Sequence, residues 1–150
     1  MDPKVSALGC YGGYADERFD GCQRSSRYVA MRDDVRLAVD IYRPTLADVL
    51  VEEPLPAVWT HTRYQRASLT VDGEILGTVE KWDDWLFSMI RHGYVVVTVD
   101  VRGGGASFGV NEGQYSANEN RDAYDVTEWI AAQPLSLIHI SEPTRRRLES

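Results

Sequence analysis

The chain has 150 residues, of which 43% are hydrophobic, 26% charged and 10% aromatic, the composition of an ordinary folded domain rather than a disordered segment. No apolar run approaches the roughly 20 residues that a membrane-spanning helix needs, and a formal charge of -7 argues against a nucleic-acid partner or an anionic membrane surface, because phosphate binding needs a concentrated basic face. The only two cysteines, Cys10 and Cys22, have no metal-ligand spacing and are expected to be reduced thiols, and no basic region precedes an apolar stretch at the N-terminus, so the cytoplasm is the expected location.

Residues 1 to 24 form a Gly, Tyr and Asp-rich arm without period, expected to drape over the rest. Arg27 to Arg32 and Val35 to Tyr42 read as two strands joined by the tight-turn pair Asp33-Asp34. In the second strand Val35, Leu37, Val39 and Ile41 alternate with Arg36, Ala38, Asp40 and Tyr42, which predicts one buried and one solvated face. A polar connection, Pro44 to Pro56, leads to a short strand from Ala57 to Thr62, and residues 66 to 78 read as a loop.

Thr78 is a candidate N-cap for a helix with Trp82, Trp85, Leu86 and Met89 on one face, closed by His92-Gly93. Tyr94 to Val101 is a near-continuous β-branched run, the pattern of a strand buried on both faces in a parallel sheet. A Gly-rich loop, Gly103 to Gly113, precedes a second helix from about Ala117 to Gln133. Its capping box is Ser116 with Glu119, and its inward face is Ala123, Val126, Thr127 and Ile130, with Asp122, Asp125 and Glu128 on the solvated side. Hairpin, strand, helix, strand, helix is the opening of an α/β sheet.

The stretch Leu135 to Arg145 resembles the in-frame translation of a transposase-type sequencing adapter, so residues 135 to 150 are set aside as a non-native tail. The remaining 134 residues keep a net charge of about -8.

Two motif matches in the Gly-rich loop fail on context. Gly105-Ala106-Ser107-Phe108-Gly109 fits the nucleophile-elbow pattern, but the elbow needs a helix that starts at the nucleophile, and here the helix begins about ten residues later; Ser107 reads as a loop-capping serine. A dinucleotide fingerprint counted from Gly103 would need glycine where Phe108 stands. Near the ends of the central elements, Asp100 and Arg102 are expected to hold the Gly-rich turn by pairing with loop amides or with each other, and His61 and His92 to be structural.

Four blocks in fixed order carry a more specific signal. They are Arg27 to Pro44 (RYVAMRDDVRLAVDIYRP), Pro56 to Tyr64 (PAVWTHTRY), Gly93 to Gly109 (GYVVVTVDVRGGGASFG) and Glu119 to Pro134 (ENRDAYDVTEWIAAQP). Together they resemble the N-terminal part of the catalytic domain of the X-Pro dipeptidyl-peptidase and cocaine-esterase-like hydrolases, the CocE/NonD family. The resemblance spans roughly residues 20 to 134. Asp34 stands where the family's hairpin turn usually has glycine, a place that Asp tolerates.

The resemblance implies an α/β-hydrolase fold cut before the nucleophile strand, with residues 25 to 134 as a partial catalytic domain. It implies a Ser-Asp-His triad whose three members all lie beyond Pro134, small-molecule ester or peptide substrates, and no cofactor or metal. The chain by itself is then expected to be inactive, and its 94 to 101 strand to carry an unpaired, aggregation-prone edge. Tyr64 falls where such hydrolases have an oxyanion-hole tyrosine, and a neutral phenol donates one directed hydrogen bond. Arg63 and Gln65 depart from the commoner Pro-Tyr-Gly; the other reading of Tyr64 is a loop aromatic covering the sheet edge. Two further classes stay open, a non-catalytic interaction module and a nucleotide-binding α/β domain. Oligomeric state is not legible.

Overall fold

The computed structural model describes residues 16–77 and 84–133. Cys10, Thr78, Trp82 and the adapter-like residues 135–150 lie outside them, as does most of the N-terminal arm.

Strands β1 (Gly21–Ala30) and β2 (Arg36–Leu46) form the expected antiparallel hairpin, in register from Gly21 opposite Thr45 to Ala30 opposite Arg36. Its turn is closed by Asp34 N–H to Met31 O and Met31 N–H to Val35 O, and Asp34 adopts a left-handed φ of 63°. Both strands run beyond their predicted limits at the ends away from the turn and stop short of them beside it. At the sheet edge β1 exposes most of its side chains, with Val29 and Ala30's neighbour Met31 among the few that enter the core, so it carries no hydrophobic period to read. The predicted polar connection contains a further short strand, β3 (Val49–Leu50), folded back on β2 through left-handed Ala47 and Asp48.

Strand β4 (Ala57–Thr62) is followed by a ribbon of β5 (Ala67–Leu69) and β6 (Ile75–Gly77) where a loop was expected. An Asp72-Gly73 turn makes it possible, with Gly73 at φ 83° and its N–H on Thr70 O. Helix α1 (Asp84–Arg91) ends in a Schellman motif: Gly93 N–H donates to Ile90 O, Tyr94 N–H to Met89 O, and Gly93 sits at φ 95°. Its buried residues are Leu86 and Ile90, one turn apart, whereas Trp85, expected inward, is 58% exposed.

Strand β7 (Val95–Asp100) has all six residues buried, as its β-branched run predicts. It pairs antiparallel with β2 and parallel with β4, giving the order β1-β2-β7-β4 with β3 beside β2. The sheet is therefore mixed, not parallel. The expected open edge is also misplaced: β7 is central, and among the described residues the outer strands of this order are β1 and β4, so the edge beside the candidate loops belongs to β4. The hairpin strand β2 fills the place beside β7 that chain order alone left vacant.

Helix α2 (Ala117–Ala131) packs Val126 and Ile130 into a cluster with Leu37, Val39, Val95, Val97 and Val99. On the opposite face α1 packs Leu86 and Ile90 against Tyr42 and Val96, with Cys22 beside them. Both sides of β2 are thus covered, and the face read as solvated holds Ala38, Asp40 and Tyr42 in full burial. Each fully buried valine or leucine contributes about 1.5–3 kcal/mol. No described helix is long and apolar enough to cross a membrane.

Candidate active site

The carboxyl ends of β4 and β7 carry the two loops that hold the candidate residues, the place where open α/β sheets bind ligands. Tyr64 lies two residues past β4. Its N–H donates to Thr62 Oγ1 at 3.0 Å, and the residue is 73% exposed, so the phenol stands clear of the sheet.

The backbone around it is tied down on both sides. Arg63 donates to both carboxylate oxygens of Glu119 on α2, at 2.6 and 2.9 Å. Gln65 turns the chain through a left-handed φ of 65°. Arg66 N–H then donates to Asp100 Oδ1 at 2.7 Å, and the Arg66 side chain forms an ion pair with Asp40 and approaches Asp100 Oδ2 at 3.5 Å. Asp40 and Asp100 are 1% and 2% exposed, on adjacent strands, and Ser26 Oγ–H donates to Asp40. An open cleft of about 380 Å³ lies beside this cluster, lined by Gln65, Arg66, Ser68, Asp100 and Gly105 among others.

Asp100 reaches across to the Gly-rich loop as well, where Ala106 N–H donates to its Oδ2 at 3.0 Å. Gly105 packs so closely on that carboxylate that a Cβ would meet Oδ2 at 2.3 Å, and it lies at φ 51°. The amides of Gly103 and Gly104 donate to Phe108 O and Val101 O. Ser107 Oγ accepts from Ala38 N–H and donates to Asp100 O, both at 2.8 Å, inserting a hydroxyl into the β2–β7 ladder where the strands separate.

Of the two residues expected to hold the Gly-rich turn by pairing with loop amides or with each other, Asp100 does so and Arg102 pairs elsewhere. Asp100 takes loop amides, but Arg102 does not pair with it. Instead Arg102 Nε donates to Asp122 Oδ2 at 2.8 Å and Nη1 to Asp33 Oδ2 at 2.7 Å, which joins the hairpin turn to α2. Asp122, expected on the solvated face, is buried because this guanidinium neutralises it, and the inward face of α2 is Asp122, Val126 and Ile130 rather than Ala123 and Thr127. Asp125 is half-buried and paired with Arg32, and Glu128 is exposed.

These pairs set the electrostatics. The Arg102 hydrogen bonds hold the Asp33 carboxyl below its usual range, and Arg32 does the same for Asp125. Asp122 and Asp33 in turn raise Arg102. Burial on the α2 side of β4 pushes the His61 imidazole down; Glu119, Asp122 and Asp100 oppose the shift and Arg63 adds to it. His92 Nδ1 lies 2.7 Å from Ser88 O at the end of α1. No group of three or more His, Cys, Asp or Glu residues placed to hold a metal occurs among the described residues.

A mixed sheet with a helix on each face, a β-hairpin leading in and loops gathered at the carboxyl ends of β4 and β7 defines the N-terminal part of an α/β-hydrolase fold. A CocE/NonD family hydrolase structure from Staphylococcus aureus superposes with a TM-score of 0.61 at 27% identity, covering 77% of this chain and 22% of that one. The chain is 37% identical over 124 residues to a Mycobacterium bovis protein named as a serine esterase, covering 78% of this chain and 19% of the relative. It is 33% identical over 111 residues to the cocaine esterase of a Rhodococcus species, covering 73% and 17%. The X-Pro dipeptidyl-peptidase (S15) family model matches residues 33–140, a match that ends inside the adapter-like stretch. The chain belongs to that family, and it spans about a fifth of the length of the curated relatives it matches.

The pairing of buried Asp40 with partly buried Arg66 escaped the sequence reading. The one available signal was an arginine two residues past Tyr64 in a chain whose central strand ends in Asp100, and nothing in the linear pattern joins them to position 40.

Proposed function

We propose that the complete protein carrying these residues is a serine hydrolase that cleaves ester bonds, or the amide bond after an X-Pro dipeptide, and that Tyr64 supplies one oxyanion donor. The observation that carries this reading is an anchored backbone bearing a solvent-facing phenol at the carboxyl end of β4, with the next two residues of the same loop, Gln65 and Arg66, lining an open cleft. Family membership supports the reaction class.

A serine hydroxyl supplied from outside the described residues attacks the substrate carbonyl carbon while a histidine takes its proton. The carbonyl electron pair moves onto oxygen, and the Tyr64 O–H donates to the resulting oxyanion. Collapse expels the alcohol or amine, which takes the proton back, and leaves an acyl-enzyme that water hydrolyses. One such donor is worth about 2.7–4 kcal/mol in the transition state. Ser107 is not the nucleophile in this scheme, since its hydroxyl already donates to Asp100 O and accepts from Ala38 N–H.

The family resemblance puts acid, base and nucleophile beyond Pro134, and on that reading the 150-residue chain alone is inactive. The reaction needs no cofactor or metal, its substrates are small esters or peptides, its setting is the cytoplasm, and residues 135–150 are adapter-derived. A serine-reactive fluorophosphonate applied to the chain and to the complete protein tests the scheme. We expect label on a serine of the complete protein other than Ser107, and none on the chain. Label on Ser107 would contradict it, and a folded complete protein that takes no label would favour the interaction-module reading.

A further inference from the structure

We propose that Arg66 is the positioning residue of the oxyanion loop, acting through Tyr64. This rests on the oxyanion reading of Tyr64. A lone tyrosine on an exposed loop would sample many orientations, and a donor that is not held in place loses most of its preference for the transition state. The Arg66 side chain supplies the restraint. It ion-pairs with Asp40 from β2 and approaches Asp100 from β7, while its own N–H is held by Asp100 Oδ1 at 2.7 Å.

Both carboxylates are fixed independently of the loop. Asp40 accepts from Ser26, and Asp100 accepts from Ala106 N–H at 3.0 Å with Gly105 packed against it. The loop is therefore referenced to the two central strands through a rigid pair of acids. Arg63, gripping Glu119 at 2.6 Å, holds the other side. Between these anchors only Tyr64 and Gln65 are left, and Gln65 is committed to a left-handed turn.

Arg66 also lines the cleft, which raises the question of whether it binds substrate directly. Its side chain is 14% exposed and answers two buried carboxylates, so its charge is spent inside the protein. A planar fork spanning two acids is a geometry that lysine, a point charge, does not reproduce.

The test uses the complete enzyme with a nitrophenyl ester, in four variants: Tyr64→Phe, Arg66→Met, Arg66→Lys, and Arg66→Lys combined with Tyr64→Phe. Arg66→Met is expected to lower kcat by about 10–100-fold with KM within about threefold. Arg66→Lys should fall between it and the wild type, and is read alone where Arg66→Met does not fold. In the Tyr64→Phe background, Arg66→Lys should cost nothing further, because the hydroxyl it positions is gone. An unchanged kcat in Arg66→Lys, a rise in KM alone, or the same kcat loss with and without the Tyr64 hydroxyl would overturn the proposal. Should Tyr64→Phe alone leave kcat unchanged, the oxyanion reading fails and this inference fails with it; a loss in Tyr64→Phe without one in the Arg66 variants isolates the failure to Arg66.

Discussion

Two arginines in this protein each answer two aspartates, and the contrast between them separates scaffold from site. Arg102 binds Asp33 in the hairpin turn and Asp122 on α2, so both its partners are structural elements and nothing it touches reaches the cleft. Arg66 binds Asp40 and Asp100 on neighbouring strands and itself lines the cleft, and the segment it holds is the loop that bears Tyr64. A buried ion pair is weak evidence for net stability, because desolvation offsets much of the attraction, but removing one partner strands a charge. What each cluster does for the protein is thus decided by what it connects.

The comparison can be broken most forcefully at Arg102. Arg102→Met leaves Asp122 buried without a cation and should destabilise the folded protein by about 3–5 kcal/mol, read by denaturant unfolding, with kcat unchanged in whatever fraction remains folded. A loss of kcat in the folded fraction would erase the distinction between the two clusters. Ser107→Ala comes next: it removes the hydroxyl that bridges Ala38 N–H and Asp100 O, and should cost about 1–3 kcal/mol without changing ester turnover.

The smallest effect is a pH dependence at His61. Burial lowers its pKa in the folded state, so below about pH 6.5 the unfolded chain takes up a proton that the folded one refuses. Stability is therefore lost as pH falls from about 6.5 towards the folded-state value, and His61→Gln should flatten that segment of the stability curve. A curve with the same slope in wild type and variant would mean that the imidazole is not held neutral.

The central parts of the fold were legible because local chemistry dictates them. Six consecutive residues of β7 are buried as the valine run predicts, Gly93 closes α1 in the left-handed conformation, and Ser116 caps α2 by accepting from Glu119 N–H. Asp33-Asp34 formed the turn for the same reason. Strand β1 escaped because an edge strand with exposed side chains has no period, and the order β2-β7-β4 escaped because strand adjacency is a tertiary fact.

Burial of charge was the harder failure. Asp40 looked outward by alternation alone, but α1 packs against Tyr42 on that side of β2, and the Arg66 side chain and Ser26 meet Asp40 itself. Asp122 looked solvated by composition, and only Arg102, twenty residues away in sequence, makes its burial tolerable. The position of Tyr64 followed from motif resemblance; the residues that anchor its loop lie at 40, 66, 100 and 119 and meet only in three dimensions.

The most direct test of the oxyanion assignment is steady-state ester hydrolysis by the complete enzyme and its Tyr64→Phe variant, a change that removes one oxygen and keeps the ring. A fall in kcat of about 10²–10³ with little change in KM is expected, the signature of a hydrogen bond made in the transition state alone. An unchanged kcat in a correctly folded Tyr64→Phe enzyme would contradict it and leave Tyr64 as a surface aromatic at the edge of the sheet.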